Sequence, residues 1–98
     1  MRRACKIDSN QPEIVTALRN CGAVVLIISQ LKNCSDIIVY YRGNTYTVEI
    51  KDGSKPISAR KLTTGELEFK AKIESVGCKY WIIESVDDAI SMLNSSTK

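Results

Sequence analysis

Histidine is absent from the 98-residue chain. That absence excludes serine–histidine–aspartate and cysteine–histidine catalysis, histidine-bound metals and a histidine general base. Any chemistry must rest on carboxylates, on lysine, or on a metal held through oxygen. The four cysteines, Cys5, Cys21, Cys34 and Cys78, form no C-x-x-C pair. A zinc site would have to draw its thiolates from separate elements, against the usual ligand spacing. Cys21 and Cys78 read instead as small packing residues. Long apolar runs are also missing. The longest, residues 23–28, falls far short of the roughly 20 residues that cross a bilayer, and the first residues lack the apolar core of a signal peptide. A cytoplasmic protein with reduced thiols and no membrane partner is the expectation. No internal repeat appears, and only the polar tail, residues 94–98, is expected to fray.

What is present suits one ordinary globular domain over residues 1–98, with 44% hydrophobic and 26% charged residues. The net charge of +3 is unevenly spread. Arg2, Arg3 and Lys6 crowd a basic N-terminal arm over residues 1–8, and Lys51, Lys55, Arg60 and Lys61 crowd one connecting segment. Both clusters suit phosphate, and both would also serve as plain solvated loops.

Local signals give the element order. Asn10 can cap a first helix, Pro12 suits its first turn, and Ile14, Leu18 and Cys21 form an apolar stripe closed by Gly22. Residues 23–28 read as a buried strand. Thr63-Thr64-Gly65-Glu66 is a capping box that opens a second helix, with Phe69, Ile73 and Val76 on one face and Gly77 at its end. Residues 79–84 read as a strand, and Ser85 opens a final helix with Val86, Ala89, Ile90 and Leu93 inward. The order is α-β-β-β-α-β-α. The β-α-β passage implies a parallel pair, so an α/β domain with a mixed sheet flanked by helices on both faces is expected.

The segment over residues 35–51 carries the most information. Two runs rich in Val, Ile, Thr and Tyr flank Gly43-Asn44, a hairpin signal with Gly first in a two-residue turn. That turn pairs Arg42 with Thr45; counting on from there, Val39 pairs with Val48 and Ile37 with Ile50 on one face, and Ile38 with Glu49 and Asp36 with Lys51 on the other. Alternation then brings Asp36, Glu49 and Lys51 out on one face, with Asp36 and Glu49 on a diagonal. Hard carboxylate oxygens, with the Ile50 carbonyl between Glu49 and Lys51, can hold Mg²⁺ or Mn²⁺ beside a phosphate oxygen. Lys51 can offset charge on that phosphate. The plainer reading is a surface ion-pair cluster, a common feature contributing only ~0.2–1 kcal/mol. Against it, Ile38 shares the face with Glu49 and helices should cover part of it, and covered charges need a reason.

Asp36 followed by Glu49-x-Lys51 on a hairpin resembles the PD-(D/E)XK nuclease superfamily. More narrowly, M-R-R-A-x-K-I-D-x-N-Q-x-E-I at the start, E-I-K-D-G-S-K-P-x-S-A-R-K-L-T in the middle and E-S-V-D-D-A-I near the end resemble the VRR-NUC branch, small phage and bacterial nucleases similar to Holliday-junction resolvases. The resemblance implies a restriction-endonuclease-like sheet, with Asp36, Glu49 and the Ile50 carbonyl as metal ligands and Lys51 as the catalytic lysine. Glu13 would be the additional acid, although it also suits a capping box with Asn10. Two departures stand out. Asn33-Cys34-Ser35-Asp36 replaces the family's Gly-x-Pro-Asp run, and Glu66 stands where the family often has glutamine.

The expected activity is that of a divalent-metal-dependent endonuclease acting on branched DNA. Mg²⁺ or Mn²⁺ is its cofactor, with no organic cofactor, in a bacterial or phage-infected cell. Lys55, Arg60 and Lys61, with Arg2, Arg3 and Lys6, would contact the DNA backbone. Cutting two opposed strands calls for a homodimer. The alternatives are a monomeric flap or nick nuclease, and a DNA-binding module without catalysis.

Overall fold

The structure, a computed structural model, describes residues 8–95. Its elements run α1 (Gln11–Asn20), β1 (Val24–Ile27), β2 (Ile37–Tyr41), β3 (Asn44–Ile50), a short 3₁₀ turn (Ile57–Arg60), α2 (Thr64–Ser75), β4 (Tyr80–Ile83) and α3 (Val86–Ser95). The expected order α-β-β-β-α-β-α is therefore the observed one. The four strands form one mixed sheet in the order β1-β2-β3-β4. β1 and β3 both run antiparallel to β2, and β4 is parallel to β3. No helix among the described residues is long and apolar enough to cross a membrane.

The hairpin closes one residue earlier than its sequence suggests. Tyr41 pairs with Asn44, Val39 with Tyr46 and Ile37 with Val48. The loop is thus Arg42-Gly43, with φ of 50° and 82°. A two-residue turn with both central residues at positive φ is the I′ geometry, whose twist matches that of the strands and which favours Gly at its second position. Arg42 accepts the left-handed conformation and stacks 5.2 Å from the centre of the Tyr41 ring. The register moves by two residues, so every side chain keeps its expected face, since strand side chains alternate with period two. Asp36 now lies opposite Glu49 rather than Lys51.

One face of the sheet carries the core. Val25, Ile37, Val39, Tyr46, Val48, Ile50 and Ile83 meet Ile14, Val15 and Leu18 of α1 and Ala89, Met92 and Leu93 of α3. Trp81 lies at the edge of this layer, its ring 5.8 Å from that of Tyr46 at 70°. Burying each such side chain contributes ~1.5–3 kcal/mol. The other face is covered only in part. α2 lies there through Phe69, whose ring meets that of buried Tyr80 edge-on at 6.1 Å. No residue of α2 is fully buried, and Val76, expected inward, is 75% exposed. Cys21 and Cys78 are exposed free thiols rather than packing residues.

Candidate active site

The partly covered face holds the charged residues, and the local sequence explains how each gets there. Asp36 sits just before β2. Its amide donates to the Val48 carbonyl at 3.0 Å and its carbonyl accepts from the Ile28 amide at 2.9 Å, so its backbone is held on both sides. Asn33, at φ 57°, makes the left-handed turn that delivers this approach, as its residue type allows. The Asp36 carboxylate accepts from the Ile50 amide at 2.8 Å across the hairpin. Glu49 lies in β3 and is only 4% exposed. Its carboxyl accepts from the Tyr80 hydroxyl at 3.4 Å and stands 3.3 Å from the Lys51 ammonium. The Tyr80 hydroxyl also approaches the Cys34 carbonyl at 2.8 Å.

Glu66 fills two roles with one oxygen. Its Oε1 accepts from the Thr63 amide at 2.9 Å, while its own amide donates to the Thr63 hydroxyl at 3.1 Å, completing the capping box of α2. The same Oε1 accepts from Lys51 Nζ at 3.2 Å. Capping and site membership are compatible because the first turn of α2 points at the end of β3. Neighbouring Gly65 touches the loop before β2: a Cβ there would overlap the Asn33 side-chain amide.

Electrostatics follow from burial of like charges. Burial, then the nearby charges of Asp36 and Glu66, push the Glu49 carboxyl from 4.5 up to about 9. Asp36 is also raised, by burial and by Asp8 and Glu66, although the Ile50 amide works in the opposite direction. Burial works against the Lys51 ammonium, but the carboxylates of Glu49 and Glu66 outweigh it and hold its pKa above the ordinary range. Glu66 ends below its usual range because, against burial, the Thr63 amide, a proton shared with Glu49 and the Lys51 ammonium favour its charged form. Tyr80 is raised by burial and by the surrounding carboxylates, so its hydroxyl stays protonated as a donor.

These side chains open on a cavity of about 510 Å³ lined by Asp8, Asp36, Glu49, Lys51, Lys55, Lys61 and Glu66, among others. The structure thus brings Asp36, Glu49, Lys51, Lys55 and Lys61 together. It does not bring Glu13 with them. Glu13, in the first turn of α1, lines a separate cleft with Asp52, Glu84 and Asp88. Nor does it cap with Asn10, whose side chain makes no capping bond. Arg60 is tied to Glu84 at 2.9 Å, anchoring the 3₁₀ turn to the end of β4, and does not line the cavity. Arg2, Arg3 and Lys6 lie outside the described residues. The acid that does reach the cavity from the N-terminal side is Asp8, close enough to raise Asp36. In the sequence Asp8 stands within the K-I-D stretch, at the end of the basic arm. The sequence marks Tyr80 only as part of a strand, and its place opposite Thr47 in the parallel register puts it on the face of Glu49.

The donor set suits a hard divalent cation. Asp36, Glu49 and the Ile50 carbonyl offer only oxygen, and burial with neighbouring negative charge raises both carboxyls although Lys51 opposes it. Among the described residues no three acidic or thiol groups form a complete metal cage. Two carboxylates completed by water and a substrate oxygen is the arrangement Mg²⁺ favours.

No family model matches the chain, and no curated protein sequence matches it. A solved structure described as a VRR_NUC domain superposes with a TM-score of 0.66 at 15% sequence identity, over 92% of this chain and 100% of that one. At that identity the likeness is one of fold. The chain has the fold of a VRR_NUC domain, an α/β mixed sheet flanked by helices.

Proposed function

We propose that this chain, built on the fold of a VRR_NUC domain, is a divalent-metal-dependent endonuclease that hydrolyses phosphodiesters in branched DNA as a homodimer. The observation that carries the reading is the placement of Asp36, Glu49 and Lys51 on one face of the sheet, at a cavity rimmed by Lys55 and Lys61. Asp36, Glu49 and the Ile50 carbonyl would hold Mg²⁺ or Mn²⁺. When bound, such an ion polarises the scissile phosphate and lowers the pKa of a water. The chain's own groups do the rest. The Ile50 amide fixes the Asp36 carboxylate, and Tyr80 and Lys51 fix that of Glu49. The Lys51 ammonium, kept charged by Glu49 and Glu66, offsets charge that grows on the phosphate. Lys55 and Lys61 seat the DNA backbone without reading sequence. Asp8 adds negative charge beside Asp36 and favours a cation there.

The test is cleavage of labelled four-way junction, flap, single-strand and linear duplex substrates with Mg²⁺, Mn²⁺ or EDTA, beside Glu49→Ala. Paired metal-dependent nicks near the junction centre, lost in the variant, support the proposal. Cleavage confined to flaps by a monomer would replace it with the monomeric reading. Tight junction binding with no cleavage would favour a binding module.

A further inference from the structure

Asn10 is the residue type most favoured as a helix cap, and its place before α1 invites that role. The structure uses it otherwise. At φ −87° and ψ −2° its side chain makes no capping bond. Instead Nδ2 donates to the Lys51 carbonyl and to the Glu84 carbonyl, each at 3.1 Å. These carbonyls lie just past the ends of β3 and β4, where the parallel ladder runs out through Lys51 N to Ile83 O at 2.9 Å and Gly53 N to Glu84 O at 3.1 Å. Asn10 Oδ1 is buried without a hydrogen-bond partner.

Gln11 repeats the pattern towards the other side of the site. It is 4% exposed, its Nε2 donates to Ser29 Oγ at 2.9 Å, and Ser29 Oγ donates to the Asp36 carbonyl at 3.3 Å. Its Oε1 also has no partner. Two consecutive amides at the start of one helix therefore reach the backbones of Lys51 and of Asp36.

We propose that Asn10 is a positioning residue for Lys51, a clamp across the ends of β3 and β4, with Gln11 and Ser29 acting likewise on Asp36. This rests on the reading of Lys51 and Asp36 as site residues. The consequence is geometric. Lys51 carries its ammonium on a long flexible stem, so its reach to Glu49 and Glu66 depends on where its backbone is pinned. A displacement of about 1 Å in such a group can cost on the order of 10²-fold in rate.

Two variants separate clamp from cap. Asn10→Asp keeps the size and the capping ability but turns a carboxylate towards two carbonyl oxygens. Asn10→Ser also caps, is uncharged, and is too short to bridge the strands. Both should lower kcat on junction DNA on the order of 10–100-fold with KM changed less than about twofold. In metal-free protein, both should speed amide exchange at Lys51 and Gly53 on the order of tenfold relative to the β2–β3 ladder. Wild-type kcat and exchange in both variants, or faster exchange throughout the sheet in equal measure, would overturn the clamp. If the wild-type protein cuts no substrate, the nuclease reading falls, and the exchange comparison still decides the clamp on its own.

Discussion

Strand β3 serves two unlike layers with alternate residues. Tyr46, Val48 and Ile50 point under α1 and α3 into a layer of buried apolar side chains. Glu49 and then Lys51 point the other way, under the first turn of α2, among carboxyls and an ammonium. The first layer is closed by two helices with fully buried residues. The second is closed by one helix with none, and beyond its reach Val24, Leu26 and Tyr40 remain exposed. The difference teaches that stability and chemistry are separated by the thickness of a sheet. The core layer can hold the strand rigid while the other layer accommodates like charges that favour neither burial nor each other.

Breaking the charged layer should have the largest effect. Glu49→Ala and Lys51→Ala should each reduce cleavage by on the order of 10²–10³-fold or more while leaving the circular dichroism spectrum intact. Full activity in folded Glu49→Ala would end the metal-site reading. Breaking the apolar layer should do the reverse: Ile14→Ala should cost about 2–5 kcal/mol in urea denaturation. Val76→Ala on α2 should cost within about 0.5 kcal/mol, and equal losses would refute the contrast.

Acid titration sharpens it further. Without metal, Glu49 is held from 4.5 up to about 9 in the fold. The folded chain therefore keeps a proton that the unfolded chain releases. The stability that this proton contributes is complete below the unfolded value and is lost as pH rises through the folded one. Melting temperature in EDTA should thus fall between about pH 5 and pH 9. Glu49→Gln should flatten that fall, and an unchanged slope in the variant would place its origin elsewhere. The smallest effect concerns the rim. Lys55→Ala and Lys61→Ala should each reduce the salt slope of DNA binding by about one unit, since each lysine releases roughly one counterion. Arg60→Ala, which breaks the pair with Glu84, should lower stability and leave the slope nearly unchanged. A slope change for Arg60 equal to that for Lys55 would show that it reaches DNA.

Most of the fold was legible because its signals are local. The capping box of α2, the left-handed glycines at 22 and 77 and the alternation along β2 and β3 all appear where the residue types predict. The faces of Asp36, Glu49 and Lys51 survived a wrong turn because a two-residue slip preserves parity. What stayed hidden depends on distant partners. Nothing near Arg42 shows that it would accept positive φ ahead of Asn44. The pair between Arg60 and Glu84 forms only once β4 brings Glu84 beside the 3₁₀ turn. Glu13 and Asp8 flank the same helix start, and only the three-dimensional path of that start decides which one reaches the cavity. Asn10 carries a capping signal that tertiary acceptors override.

The contact between Gly65 and Asn33 bears on any attempt to make this protein more robust. A glycine inside a helix is an ordinary target for replacement by alanine, worth about 0.5–1 kcal/mol. Here the added methyl would meet the loop that sets Asp36 in place. The Asn33 side chain would have to turn away to make room. Any gain in helix propensity at this position is therefore set against a displaced Asn33, a residue that lines the cavity.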